Sequence, residues 1–131
     1  MIVHHIGYLV KDIDKSKDEF VKLGFIEETA PQYDSLRDII VMFMVNGDYR
    51  IELIEPASEN SEMMPLLKRF KNLPYHICYK TTDIKKSIDE LLASGFVLIK
   101  EPKEAPCIDG CKVAFLQNPR IGIVELVCDK D

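Results

Sequence analysis

The chain has no apolar run approaching the roughly 18 residues needed to span a bilayer, so no membrane span is expected. It has no basic block either. Its 17 lysines and arginines are interleaved with 22 acidic residues, leaving a formal charge of −5. Nucleic acid is not an expected partner, because binding it takes a concentrated basic face. CxxC pairs are missing. Of Cys78, Cys107, Cys111 and Cys128, only Cys107 and Cys111 are close, and no histidine stands beside them. That spacing argues against a cysteine-rich zinc site, and free thiols are the expected state in a cytosolic chain. The start, "MIVHHIGYLVKD", carries neither a charged lead nor a small-residue cleavage site, so it does not read as a signal peptide. A cytoplasmic location is expected.

What the chain does have is a core and a repeat. Hydrophobic residues make up 47% of 131 residues, enough for one ordinary domain. The stretch "HIGYLVKDIDKSKDEFVKLGFI" from His5 aligns without gaps with "HICYKTTDIKKSIDELLASGFV" from His76, at an offset of 71. Eleven of the twenty-two positions are identical, among them His5 with His76, Tyr8 with Tyr79, Asp12 with Asp83 and Gly24 with Gly95. The later halves match at offsets of 72 and 73: Val41 meets Val113, Asn46 meets Asn118, and Glu52 meets Glu125. The change of offset requires one extra residue in the second turn.

Each copy reads as strand, helix and three strands. In "VHHIGYLV", Val3, His5, Gly7 and Leu9 share one face, and Ile2, His4, Ile6 and Tyr8 the other. Asp12 and Asp83 stand at helix N-caps. Ile13, Ser16, Phe20 and Leu23 then recur at helical spacing, as do Ile84, Ser87, Leu91 and Ser94. Gly24 and Gly95 close the helices as C′ residues. "FIEE" and "FVLIK" resume as strands, and "NGD" and "NPR" turn two hairpins. The expected fold is α+β: two tandem βαβββ modules with curved sheets forming a metal-binding cleft. Module one covers about 1–56 and module two about 75–131. The linker between them, about 57–74, holds a short helix with Pro65 near its start.

Duplication puts the same residue types at matched points. His5 and His76 lie on the first strands, Glu52 and Glu125 on the last. Two imidazoles and two carboxylates suit Ni²⁺, Co²⁺ or Zn²⁺ and leave coordination positions open. A lone strand histidine is more often structural than a ligand, and a lone glutamate in "RIELIEP" or "GIVELV" is more often an outward polar residue. Keeping both in both copies favours the metal reading. His4 has no counterpart and reads as structural or rim. Glu55 reads as surface, Tyr8 and Tyr79 as core. Met42, Met44, Met63 and Met64 read as core or as lining for an apolar pocket.

"HHIGYLVKDIDKS", "LGF", "IELIEP", "YHICY" and "GCKVAFLQNPRIGIVELV" together resemble the vicinal oxygen chelate superfamily of glyoxalase I, methylmalonyl-CoA epimerase, bleomycin- and fosfomycin-resistance proteins and extradiol dioxygenases. The resemblance runs from about His4 to Val127. It implies metal ligands at His5, Glu52, His76 and Glu125, one divalent ion per site, a homodimer, and proton transfer by Glu125 or its mate Glu52. An additional glutamate of the epimerases is not found in "DSLRDIIVMF". The leading expectation is therefore a glyoxalase I-like lyase or isomerase, in which a ligand glutamate is the base. It would convert the hemithioacetal of a 2-oxoaldehyde to a hydroxyacyl thioester through an enediolate. The alternative is a methylmalonyl-CoA epimerase-like enzyme acting on an acyl-CoA. An extradiol dioxygenase fits less well, since it would want iron and two histidines with one carboxylate. A reading of another class is a non-catalytic drug-binding or resistance module. Arg37, Arg50 and Arg120 are the candidates for an anionic substrate tail, read more readily as surface charges.

Overall fold

The computed structural model describes residues 1–128. The chain forms two compact units. One is His5–Tyr75, and the other is Met1–His4 with the chain from His76 onward. Nine strands and three helices among the described residues make an α+β fold, as the sequence predicts.

The first unit takes most of β1 (Ile2–Leu9), then α1 (Ile13–Lys22), β2 (Ile26–Glu27), β3 (Gln32–Asp34), β4 (Ile39–Asn46), β5 (Tyr49–Pro56) and α2 (Met64–Phe70). Its strands run in the order β2-β4-β5-β1, with β3 also paired to β4. The second unit holds β6 (Leu73–Thr81, from His76), α3 (Ile84–Ala93), β7 (Val97–Ala105), a 3₁₀ turn (Pro106–Ile108), β8 (Cys111–Asn118) and β9 (Gly122–Cys128). Its order is β7-β8-β9-β6. In each unit the last strand lies parallel to the first, β5 to β1 and β9 to β6. The intervening pairs are antiparallel.

The helices begin and end where the sequence predicts. The Asp12 carboxylate accepts from Lys15 N at 3.1 Å, and that of Asp83 from Lys86 N at 3.0 Å. Each satisfies one orphan amide of its helix. Gly24 and Gly95 follow the helices at φ +99° and +98°, a left-handed turn that a side chain would resist. In the linker, α2 opens with Pro65 in its first turn.

Each helix covers one face of its own sheet. Under α1 lie Ile6, Tyr8, Met42, Met44, Ile51 and Leu53, joined by Phe20 and Phe25 from the helix and the strand entry. Under α3 lie Tyr79, Ala114, Leu116, Val124 and Leu126. Met42, Met44 and Leu53 are fully buried, and each such side chain stabilises by roughly 1.5–3 kcal/mol. Tyr8 and Tyr79 are partly buried and pack against these cores, in keeping with the expectation, and Met42 and Met44 lie within the first. Met63 and Met64 are only partly buried.

One feature of the strands departs from the sequence reading. The second strand of the first unit is broken in two, giving β2 and β3. Glu28 N and Thr29 N both donate to Phe43 O, at 2.9 and 3.2 Å, and Thr29 Oγ1 accepts from Phe43 N at 2.9 Å. From Glu27 to Gln32 this strand advances five residues while β4 advances three, Met44 to Val41. In the second unit β7 stays continuous and outruns the expected "FVLIK". It too advances five residues, Leu98 to Lys103, against three on β8, Leu116 to Val113. Surplus residues of this kind bend the strand that carries them and sharpen its twist.

Candidate metal centre

The face of each sheet turned away from its helix carries the candidate donors. In the first unit, Gly7 of β1 pairs with Glu52 of β5. His5 stands two residues before Gly7, so the pleat puts it on the same face. His5 Nε2 lies 3.4 Å from Glu52 Oε1. The second unit repeats the arrangement: Cys78 pairs with Glu125, His76 stands two residues earlier, and His76 Nε2 lies 3.5 Å from Glu125 Oε1. All four residues are at most 5% exposed.

Those separations exceed a good N–H···O hydrogen bond. They suit another use. Two donors bound at about 2.1 Å to one ion in octahedral or tetrahedral geometry sit roughly 3.0–3.5 Å apart. Each unit thus holds one nitrogen and one oxygen donor, buried, at a spacing that fits a shared divalent ion. A buried carboxylate also needs a nearby positive group to offset its lost hydration. The residues present therefore fit the metal that the sequence implies. His5 comes together with Glu52, and His76 with Glu125.

Two residues missed by the sequence reading belong to this face. The His5 and Phe43 rings meet edge-on, with centroids 5.4 Å apart and planes at 76°. His76 and Phe115 do the same at 5.6 Å and 80°. Phe43 is the cross-strand partner of Glu52, and Phe115 of Glu125. The signal was available, because Phe43 and Phe115 share the offset of 72 that aligns Val41 with Val113.

Glu55, read from sequence as surface, has a structural role. Its Oε1 accepts from Ile13 N at 2.8 Å, a second cap on the first turn of α1. The alternation of β5 that puts Glu52 on the open face puts Glu55 under the helix. His4 is half-buried, in keeping with a rim position. All four cysteines are free thiols. The arginines read as ordinary charges are held as such. Arg37 pairs with Asp34 at 2.9 Å, and Arg50 binds Glu28 through Nε and Nη2 at 2.8 and 3.0 Å. Arg120 is exposed.

The turn "DSLRD" is braced within itself. Asp34, only 3% exposed, accepts from Leu36 N and Arg37 N as well as from the Arg37 guanidinium. Asp38, at φ +53°, accepts from the hydroxyls of Tyr33 and Ser58. The bond to Asp38, above all, holds the Tyr33 phenol above its usual pKa.

The fold and the repeated donor pairs define a class, and the comparisons agree with it. Residues 4–115 match the Glyoxalase/Bleomycin resistance protein/Dioxygenase superfamily, and the chain belongs to that family. Within it, the chain is similar to the ethylmalonyl-CoA/methylmalonyl-CoA epimerase of Cereibacter sphaeroides, with 28% identity over 117 residues covering 87% of this chain and 86% of the relative. Among solved structures it is similar to a hypothetical protein of Bacillus halodurans C-125, with a TM-score of 0.86, 26% identity, and coverage of 98% of this chain and 94% of the other. Methylmalonyl-CoA epimerase from Mycobacterium tuberculosis shares the fold, with a TM-score of 0.84, 18% identity, and coverage of 98% and 88%. No helix among the described residues is long and apolar enough to cross a membrane.

Proposed function

We propose that the chain is a divalent-metal-dependent epimerase of 2-alkylmalonyl-CoA thioesters, with His5, Glu52, His76 and Glu125 as the ligands of one ion. The observation that carries this reading is the His–Glu pair built twice, at 3.4 and 3.5 Å, in a chain similar to an epimerase of such substrates. Bound there as Ni²⁺, Co²⁺ or Zn²⁺, the ion would supply Lewis-acid polarisation of the substrate's thioester carbonyl.

The chain's own residues do the rest. Epimerisation removes a proton from the carbon between thioester and carboxylate and returns one to the opposite face. That task takes two proton-handling groups or one that reaches both faces. Glu52 and Glu125 are chemically equivalent carboxylates supplied by the repeat. Burial keeps bulk water from competing for the proton they exchange. The acids of "DSLRD" are engaged in their turn, which favours the ligand glutamates as the proton-handling groups.

The glyoxalase I reading, which led on sequence, shares the donor set and the proton shift. The named relatives weigh for the epimerase instead. A passive drug-binding module has no use for a complete donor set. We also infer a homodimer, because β2, β3 and β7 lie at sheet edges that a second copy can cover.

A paired assay tests the function. Ni²⁺-, Co²⁺- and Zn²⁺-loaded protein is given methylmalonyl-CoA or ethylmalonyl-CoA in D₂O, and in parallel methylglyoxal with a thiol. Deuterium is expected at C2 of the acyl-CoA. Turnover of the hemithioacetal alone would return the glyoxalase reading. Glu125→Gln is expected to retain metal and lose exchange. Undiminished exchange in that variant removes Glu125 as a base.

A further inference from the structure

We infer that Phe43 and Phe115 are positioning residues that fix the planes of His5 and His76. Three observations converge on each phenyl ring. It meets the imidazole of its own unit nearly perpendicularly, at 5.4 and 5.6 Å. It sits directly across the ladder from the glutamate of the same pair. It also lies where its neighbouring strand carries surplus residues. In the first unit both Glu28 N and Thr29 N converge on Phe43 O, and the Thr29 hydroxyl takes Phe43 N. In the second, Phe115 pairs with Lys100, between the two register shifts of β7.

The physics is direct. An imidazole on a strand can turn about its last torsion, which is broad and roughly two-fold. A phenyl ring set perpendicular to it attracts through its quadrupole and makes one ring plane preferred. Bulges beside functional sites re-aim side chains. In the first unit the bulge anchors the backbone of the residue that bears the phenyl. The His, Glu and Phe of each unit then form one rigid group, and Nε2 is held toward the carboxylate before any ligand arrives.

The inference rests on the proposed metal reading for its affinity arm only. A second arm needs no metal. The chain has three histidines, so ¹⁵N-histidine NMR of the metal-free protein gives three sets of ring signals. Phe43→Leu is expected to shift and broaden the His5 ring signals and leave those of His76 in place. Phe115→Leu is expected to do the reverse. Leu53→Ala, a truncation on the helix face of β5, serves as the stability control and is expected to move neither. In the affinity arm, each Phe→Leu change lowers Co²⁺ affinity by roughly two- to twelvefold, and the double variant by the product. Phe115→Tyr, which keeps the ring, restores wild-type affinity. Unchanged histidine signals in the leucine variants overturn the inference, as do equal shifts in the Leu53→Ala control. If wild-type protein binds no Co²⁺, the metal reading fails and the NMR arm alone decides the positioning role.

Discussion

Replacing His76 by alanine separates what the imidazole does for the fold from what it does for a metal. Without metal, the variant loses the edge-on contact with Phe115, worth about 0.5–1.5 kcal/mol. It also takes the imidazole away from the buried Glu125 carboxylate, which costs about 1–3 kcal/mol. The metal-free protein should therefore be destabilised by roughly 1.5–4.5 kcal/mol. Metal adds a separate quantity. At a free ion concentration of 100 times Kd, binding to the folded state alone stabilises wild type by about 2.7 kcal/mol. For a chain of this length that is a rise in Tm of roughly 10 °C. If losing one of the four proposed ligands weakens binding a hundredfold, the same ion concentration stabilises the variant by only about 0.4 kcal/mol. The assay is urea unfolding of both proteins with and without Co²⁺, read as the increment each gains from the ion. Taking increments cancels the packing loss, which is common to both conditions. An equal increment in wild type and variant refutes the assignment of His76, and no increment in wild type refutes the metal centre itself.

Three further substitutions probe the frame around the site. Asp12→Ala and Asp83→Ala should each cost about 1 kcal/mol by urea unfolding, and nearly the same amount, because the two caps make the same bond at 3.1 and 3.0 Å; unequal losses would show that the repeated helices are not equivalently anchored. Glu55→Ala should cost about 0.5–1.5 kcal/mol and leave Co²⁺ affinity unchanged, with a loss of affinity by isothermal titration arguing that the cap also sets the position of Glu52.

Much of this was legible in the sequence because duplication supplies an internal control. Asp12 with Asp83, and Gly24 with Gly95, mark the ends of both helices by their positions in the repeat, since each residue type answers a specific backbone need at a helix end. The two His–Glu pairs were legible for the same reason: a residue kept at both equivalent points is read against its own copy. What escaped was cross-strand geometry. The doubled role of Glu55 depends on which strand lies under α1, and single-strand periodicity carries no such information. The split of the second strand was hidden as well. Read from sequence, the strand is "FIEE" alone, and only its partner β4 reveals that the chain bulges and then resumes pairing. Phe43 and Phe115 look like ordinary core aromatics until their strands are placed beside the glutamates.

The repeat is not uniform, and where it varies is informative. The offset between copies is 71 on the first strand, 72 entering the hairpin and 73 on the last strand, so module two is two residues longer over this span. One lies before the hairpin. The other lies in its turn, where Pro119–Ile121 replaces the two residues Gly47–Asp48. Neither falls inside a paired strand, and the ladder is unchanged. Gly7 with Glu52 becomes Cys78 with Glu125, and Phe43 with Glu52 becomes Phe115 with Glu125. A strand alternates its faces with every residue, so a slip of one position would turn the whole strand over. Glu125 would then enter the apolar layer of Ala114, Leu116 and Tyr79 beneath α3, and Val124 or Leu126 would take its place beside His76. Insertions confined to connections are what allow two modules of unequal length to present the same nitrogen and oxygen donors at the same spacing.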